Sequence, residues 1–93
     1  MKKMETHRGF TLYEFKDRYG ASCSLQKSSI ATEDCIWLGV DDPDPRKLIK
    51  NKGWQSVKID EDILLTTRMH LSIEQVKALL PILNEFVEKG EIG

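Results

Sequence analysis

Residues 64–90 read LLTTRMHLSIEQVKALLPILNEFVEKG, and this stretch decides the fold because a strand passes into a helix with almost no loop between them. The start of the helix is marked by Ser72 and Gln75, which have the spacing of a capping box. Its end is marked by Gly90, a residue type that commonly closes helices. We therefore predict a helix over residues 72–89.

One side of this predicted helix is apolar. Its members are Ile73, Val76, Leu79, Leu80, Leu83, Phe86 and Val87. Such a stripe is typical of a helix that packs against a sheet. Pro81 lies on the opposite side, where the loss of one backbone hydrogen bond predicts a kink. We expect the helix to pack across one face of a sheet and to close the core.

Strand patterns precede the helix. Residues 10–16 (FTLYEFK) and 21–27 (ASCSLQK) flank the turn sequence DRYG and predict a hairpin. The run CIWLGV at 35–40 is almost entirely apolar, which favours a central strand that is covered on both faces, or that has one face covered by a partner chain. Residues 54–59 (WQSVKI) and 63–71 (ILLTTRMHL) predict a fourth and a fifth strand.

These elements predict a single α+β domain over residues 1–93. It contains an antiparallel sheet of about five strands, with two hairpins and a central apolar strand, and one C-terminal helix packed on it. We expect residues 1–9 to be a mobile N-terminus. Two segments are open: 28–34 is a turn or one helical turn, and 41–53 is a short helix or an extended loop. Because one helix cannot cover both faces of such a sheet, we expect a homo-oligomer.

Composition narrows the classes of function. Hydrophobic residues make up 40% and charged residues 31% of the chain, as is ordinary for a folded soluble domain. Fourteen basic residues against fifteen acidic ones give a net charge of −1, which argues against broad nucleic-acid binding. No apolar run is long enough to span a bilayer, and no apolar segment follows the N-terminal lysines. We expect a cytoplasmic protein with no membrane partner.

Residues that could support catalysis or metal binding do not form a recognisable set. Cys23 and Cys35 lie in strand contexts, and free buried thiols are favoured over a disulfide between them, which the spacing leaves open. Metal-ligand spacing and Gly-rich phosphate loops are absent from the sequence. A pair of His70 with either thiol, or with a carboxylate in 60–62, has no local support. We expect no enzyme activity, no metal and no cofactor.

The strand before the helix separates polar from apolar side chains. Period two places Leu65, Thr67, Met69 and Leu71 on one face and Thr66, Arg68 and His70 on the other. Three interpretations of the polar side are open. It is a solvated face where Arg68 pairs with a carboxylate, an anion or nucleotide site, or a polar patch in an interface between chains.

A ligand site on this face would use five residues. Arg68 offers a planar fork to phosphate, His70 a donor that gains charge near neutral pH, and Thr66 a hydroxyl. Arg18 and Tyr19 in the DRYG turn would clamp a base or ribose by charge and stacking, although such residues also make ordinary turns. We predict these five as the ligand-binding residues.

Three segments carry a resemblance to a known group of proteins: RYGASCSLQKSS, CIWLG and RMHLSIEQVKALLPILNEF. Together they resemble a group of small phage and prophage proteins with a DRYG turn, a CSLQ-x-SS strand, a WLG strand and an MHL strand that runs into an LLP-containing helix. The resemblance covers the chain from about Tyr13 to Gly90.

A phage origin implies an anti-defence role. Some small phage proteins, the sponges, sequester the nucleotide signals of bacterial immune systems as symmetric oligomers. The resemblance thus implies a non-catalytic protein that binds a small nucleotide-like or phosphorylated ligand in the infected cell. Two alternatives are an inhibitor that binds a host defence protein, similar to anti-CRISPR proteins, and a structural or accessory phage protein. The acidic segments DDPDP and DED are the features that favour a protein inhibitor.

Overall fold

Five of the strands form one antiparallel sheet in a computed structural model that describes residues 1–28 and 32–93. Within these residues the elements are β1 (Lys2–Glu5), β2 (Thr11–Lys16), β3 (Ser22–Lys27), β4 (Cys35–Val40), β5 (Arg46–Ile49), β6 (Gly53–Ser56), β7 (Arg68–Ser72) and α1 (Ile73–Lys89). The sheet has the order β1-β2-β3-β4-β7, and β5 and β6 pair only with each other. The predicted α+β class with a five-stranded antiparallel sheet is confirmed.

The hairpin of β2 and β3 forms where the sequence predicts it. The Asp17 carboxylate accepts hydrogen bonds from the backbone N–H groups of Tyr19 and Ala21, both at 2.9 Å. Gly20 takes a φ of 88°, which glycine adopts without steric cost. An aspartate that closes its own turn in this way is a common local signal, so the prediction needed no information from the rest of the chain.

The N-terminal segment 1–9, which we predicted to be mobile, contains strand β1. This strand pairs with β2, and the turn between them is closed by hydrogen bonds from the Thr6 N–H to the Phe10 carbonyl (2.8 Å) and from the Gly9 N–H to the Thr6 carbonyl (2.9 Å). The sequence KKME has no apolar alternation. Its strand is specified by the free edge of β2, which sequence periodicity does not report.

The segment 41–53 forms neither the short helix nor the loop that we considered, because β5 lies within it and pairs with β6. Before β5, Asp44 accepts hydrogen bonds from the Arg46 side chain at 2.8 and 3.0 Å. These bonds, and then the guanidinium charge, hold the pKa of the Asp44 carboxyl below its usual range. Asn51 and Gly53, with φ of 69° and 74°, turn the chain between the two strands.

Two further boundaries differ from the prediction. The fourth predicted strand, 54–59, is represented by β6, which belongs to the separate hairpin rather than to the main sheet. The fifth predicted strand, 63–71, is shorter, since β7 begins only at Arg68. The polar stretch 28–34 includes residues 29–31, which lie outside the described residues.

The register of the main sheet separates its two faces. Opposite residues in antiparallel strands point to the same side. One side, here called the polar face, carries Glu14, Ser24, Gln26, Trp37, Arg68 and His70. The other, called the apolar face, carries Tyr13, Phe15, Cys23, Leu25, Ile36, Leu38, Val40, Met69 and Leu71. The expected separation of Arg68 and His70 from Met69 and Leu71 is therefore present.

The caps of α1 are those that the sequence predicts. The Gln75 N–H donates to the Ser72 hydroxyl at 3.2 Å, and the Gln75 side chain accepts from the Ser72 N–H at 3.0 Å. At the other end, Gly90 has a φ of 72° and its N–H donates to the Phe86 carbonyl at 2.8 Å. Because each of these bonds joins residues within four positions, sequence alone was sufficient to predict them.

The packing of α1 differs from the prediction that it lies across the sheet. Its main contact with the rest of the chain is with β7, and none of its residues is buried. Leu83 and Phe86 are each 52% exposed, although they belong to the apolar stripe. The helix begins directly after an edge strand, so there is no loop to carry it back over the apolar face. That face and the stripe of α1 therefore both remain open in a single chain.

The close approach of β7 to β4 requires a glycine at position 39. A Cβ atom at Gly39 would collide with the Thr67 carbonyl oxygen and would lie 2.7 Å from the Arg68 Cα. Both obstacles are backbone atoms, which cannot move without displacing β7. We expect Gly39→Ala to lower the free energy of unfolding by about 1–3 kcal/mol or more, measured by urea denaturation at fixed protein concentration. Thr11→Ala, at an exposed strand position, is the control, and an unchanged midpoint for Gly39→Ala would contradict the expectation.

Candidate functional site

The Arg68 side chain is held on the polar face by two contacts. Its Nη2 lies 3.1 Å from Asp41 Oδ1, and its Cζ lies 4.9 Å from the centroid of the Trp37 ring. Asp41 Oδ1 also accepts a hydrogen bond from the Ser24 hydroxyl at 2.6 Å. The Arg68 and Asp41 side chains are 34% and 27% exposed, so the ion pair is only partly screened by water. The first interpretation, an Arg68–carboxylate pair on a sheet face, thus has a definite partner.

His70 lies beside the same indole. The two rings meet edge to face, with centroids 5.8 Å apart and an interplanar angle of 87°. Trp37 and His70 are direct neighbours across β4 and β7, which brings their side chains together. On its other side, His70 Nδ1 lies 3.4 Å from the hydroxyl of the buried Ser28, within reach of a long hydrogen bond. Trp37 is therefore the centre around which both predicted cationic residues are arranged.

Two buried donors in this cluster have no hydrogen-bond partner among the described residues. They are Trp37 Nε1 and Arg68 Nε. An unsatisfied buried donor costs about 1–3 kcal/mol, so native structures seldom leave two of them together. Both are N–H groups, and an oxygen acceptor is what both lack.

A pocket of about 330 Å³ lies next to Trp37, at the end of the sheet where β1 turns into β2. It is lined by Thr6, His7, Arg8, Phe10, Gln26, Lys27 and Trp37. Hydrogen bonds within the turn satisfy its backbone groups, and the Phe10 N–H also donates to the Thr6 hydroxyl at 3.1 Å. The side chains of the turn are therefore left to line the pocket. Two aromatic rings and several cationic or potentially cationic groups therefore surround one opening.

The electrostatics of this pocket favour an anion. Arg8 is exposed in the turn, and Lys27 lines the pocket from the end of β3, although its position opposite Ile36 belongs to the apolar side of the sheet. Lys27 Nζ lies 3.1 Å from Asp34, but both side chains are about two-thirds exposed, so this pair is loosely held in water. An incoming phosphate can compete for such a lysine, whereas the partly buried Arg68 is more firmly engaged with Asp41.

None of the five predicted site residues lines this pocket: Arg68 and His70 lie beside Trp37, and the other three lie elsewhere on the surface. Tyr19 is 95% exposed at the tip of the β2–β3 hairpin and lines a different depression, of about 600 Å³, with Asp42, Asp44 and Arg46. Arg18 is exposed in the same turn, and Thr66 is exposed before β7 begins. The structure thus brings Arg68 and His70 together at Trp37 and leaves Arg18, Tyr19 and Thr66 outside the cluster.

Sequence reasoning missed the turn residues. His7 and Arg8 lie in a segment that we expected to be mobile, and Trp37 was not among the predicted ligand-binding residues. The sequence THRGF does contain a signal, since Gly9 with a φ of 81° permits a tight turn that exposes the preceding arginine. That signal is weak in the sequence, because the turn forms only when β1 pairs with β2.

The two cysteines are free thiols, as the sequence favoured. Cys23 lies opposite Val40, and Cys35 begins the same strand β4, so the two are separated by roughly 17 Å along the sheet. A disulfide requires Cα atoms within about 7 Å. Burial, and then the nearby carboxylates of Glu33 and Asp34, raises the pKa of the Cys35 thiol. Cys35 is thus poorly suited to act as a nucleophile.

No family model, curated protein or solved structure matches this chain. Among the described residues, no group of three or more His, Cys, Asp or Glu side chains is arranged to hold a metal ion. In the same residues, no helix has the length and apolar character needed to cross a membrane.

The contacts of Asp41 lead to a stability prediction. Asp41→Ala removes one acceptor from both Arg68 and Ser24, and it leaves a guanidinium partly buried without its counter-charge. We expect a loss of about 1–2 kcal/mol in the free energy of unfolding, discounted for the exposed fraction of the pair. Asp42→Ala, at the exposed neighbouring position, is the control and should change little. Equal urea midpoints for the two variants would show that Asp41 has no supporting role.

The raised pKa of the Cys35 thiol leads to a prediction about pH dependence and chemical labelling. Because the folded state holds the thiol proton more tightly than the unfolded chain does, this group's contribution to stability is full at neutral pH and is lost as the pH rises through the folded-state pKa. In a Cys23→Ser variant, iodoacetamide at pH 8 should label Cys35 about tenfold or more slowly in the folded protein than in urea. Equal rates would mean that Cys35 is accessible and ionised.

Proposed function

We propose that this protein binds and sequesters a small nucleotide-like or phosphorylated molecule, without catalysis, at the pocket beside Trp37. The observation that carries the proposal is the meeting of Trp37 and Phe10 with Arg8 and Lys27 around one opening of about 330 Å³. The volume is in the range of small-molecule sites.

The chemistry of the lining supports a ligand with a flat ring and an anionic group. Indole and phenyl rings stack on nucleobases, and such stacking is worth about 1–3 kcal/mol per base. Arginine binds phosphate through paired N–H groups, and lysine supplies a further positive charge. Gln26, which also lines the pocket, offers both a donor and an acceptor to a base edge.

Arg68 and His70 are proposed as the residues that position Trp37 and contact the ligand next to it. Arg68 Nε and Trp37 Nε1 are the two buried donors without an acceptor, and a ligand oxygen would reach them only after a movement of the side chains, because each atom has less than 1 Å² of accessible surface. Arg18, Tyr19 and Thr66 stay predicted contacts, with less support, because they lie outside this cluster.

The biological setting of the proposal comes from the sequence resemblance. A sponge that acts in the cytoplasm of an infected cell needs a binding pocket and no reactive group, and a raised thiol pKa at Cys35 is consistent with that requirement. The proposed ligand is therefore an immune signal of nucleotide type.

The first experiment is native mass spectrometry of the protein purified from cells with an active nucleotide-signalling defence system. An adduct of a few hundred daltons per site supports the proposal and narrows the ligand. In parallel, a Trp54→Phe variant retains Trp37 as its one tryptophan. Its fluorescence can be titrated with AMP, ATP, ADP-ribose, cyclic di-GMP and inorganic phosphate.

Substitutions then test the pocket with the best ligand of that panel. We expect Arg8→Ala to weaken binding about tenfold or more, as the loss of a charge-assisted hydrogen bond implies, with an unchanged circular dichroism spectrum. Arg68→Ala should also abolish binding with the fold retained. Arg46→Ala, which removes an arginine bound to Asp44 on the separate hairpin, is the matched control.

Three results would contradict the proposal: no adduct and no fluorescence response to any probe, equal binding by Arg8→Ala and the control, or unfolding by Arg68→Ala together with unchanged binding by Arg8→Ala. A host protein that co-purifies in place of a small molecule would favour the alternative of a protein-binding inhibitor.

A further inference from the structure

The single chain has almost no hydrophobic core of its own. Among the described residues, the buried hydrophobic side chains are those of Cys23 and Cys35, and no side chain is less than 2% exposed. A folded domain of this length ordinarily buries about two-thirds of its unfolded surface around a set of large apolar residues. Here the large apolar residues line two open surfaces instead.

The dimensions of the chain show how much surface lies open. Its accessible surface is 8253 Å², whereas a compact protein of 10.7 kDa exposes about 5,500 Å². Its radius of gyration is 16.7 Å, against about 12 Å for a compact domain of 93 residues. The excess of about 2,700 Å² per chain is well above the roughly 800 Å² that each partner buries in a standard interface.

The open surfaces are the apolar face of the sheet and the apolar stripe of α1. Near the start of the helix they meet in a groove of about 320 Å³, whose apolar wall includes Ile36, Leu71, Ile73, Val76 and Leu80. Beyond that groove the helix is free of its own sheet, and Val87 is 82% exposed. The groove is thus open along the side where the sheet continues.

We propose that a second copy of this chain covers the apolar face, in a two-fold symmetric dimer in which α1 of each copy lies on the sheet of the other. The lengths agree with this arrangement. A helix of 17 residues is about 25 Å long, and five strands spaced by about 4.8 Å span roughly 19 Å between the outer axes. One helix is therefore long enough to cross the whole partner sheet.

A second copy is the occupant that the lack of a core requires. Because the chain cannot bury enough apolar surface alone, it needs a partner whenever it folds. Another copy of the same chain is the one partner that is always present where the chain is made. The exchange is also self-complementary: each copy offers one uncovered helix and one uncovered face, as a two-fold interface demands. Other proteins as occupants are outcomes of the test.

This proposal does not depend on the proposed ligand site. The pocket beside Trp37 opens at the polar face, whereas the dimer uses the opposite side of the sheet, and of the pocket's lining residues Lys27 alone also lines the groove. Loss of the dimer with retained nucleotide binding, or the reverse, would separate the two proposals.

Mass and concentration dependence provide the first test. Native mass spectrometry and light scattering at tens of micromolar should give twice the chain mass of 10.7 kDa. The urea midpoint should rise with protein concentration, because unfolding then includes dissociation. A mass of one chain, or a midpoint independent of concentration, would overturn the proposal, as would a stable complex with a different protein in place of the second copy.

A mixed-label dimer tests the exchange itself. Isotope-labelled and unlabelled chains are unfolded together, refolded, and studied by filtered nuclear Overhauser spectroscopy, which reports contacts between copies only. Intermolecular contacts from Leu83 or Phe86 of one copy to Leu38 or Met69 of the other are expected. A dimer with contacts between copies at other surfaces alone would overturn the helix exchange even though the mass is correct.

A matched pair of helix variants completes the test. Leu83→Arg places a charge in the apolar stripe, whereas Ala78→Arg places the same side chain on the opposite side of α1, one turn after Glu74. We expect Leu83→Arg to weaken dimerisation at least tenfold, or to prevent folding, and Ala78→Arg to leave the dimer unchanged. Equal dimerisation of both variants would contradict the proposal, and the mixed-label experiment on the unmodified chain decides the matter if Leu83→Arg does not fold.

Discussion

Backbone pairing of β4 with β3 on one side and with β7 on the other is the constraint on which the rest of the structure depends. One register aligns Gln26, Trp37 and His70 on the polar face, and the next row, which includes Leu38 and Met69, on the apolar face. Because side chains alternate along a strand, this single alignment sets both the side proposed for ligand binding and the side proposed for dimerisation.

On the polar face, partial burial divides the charged residues into two groups. Arg68 is paired with Asp41 and lies over Trp37, so its charge is largely compensated by contacts within the chain. Arg8 comes from an exposed turn, and Lys27 has a loose, exposed partner, so both remain available to an anion. An indole in contact with Arg68 and His70, with exposed cations at the rim of the pocket, is the arrangement that the proposed planar, anionic ligand would use.

On the apolar face, the shortage of buried side chains links folding to association. Apolar burial is the main favourable contribution to folding. A chain that exposes both one face of its sheet and the apolar stripe of its helix is therefore not stable in water by itself. The β5–β6 hairpin adds to this exposure, with Leu48 61% and Trp54 64% accessible. Under the proposed helix exchange, the fold is that of one protomer, and its stability would belong to the assembly.

The sequence by itself determined the elements that depend on neighbours within a few residues. The caps of α1, the Asp17 turn and the bounds of β4 follow from local hydrogen bonds and side-chain patterns, and the pairing of Arg68 with a carboxylate was among the alternatives it allowed. Only the tertiary structure decided that β1 joins the sheet, that α1 leaves its own apolar face open, and that the Thr6–Phe10 turn meets Trp37. These depend on which sheet edges and faces meet, and side-chain periodicity within one segment carries no information about that choice.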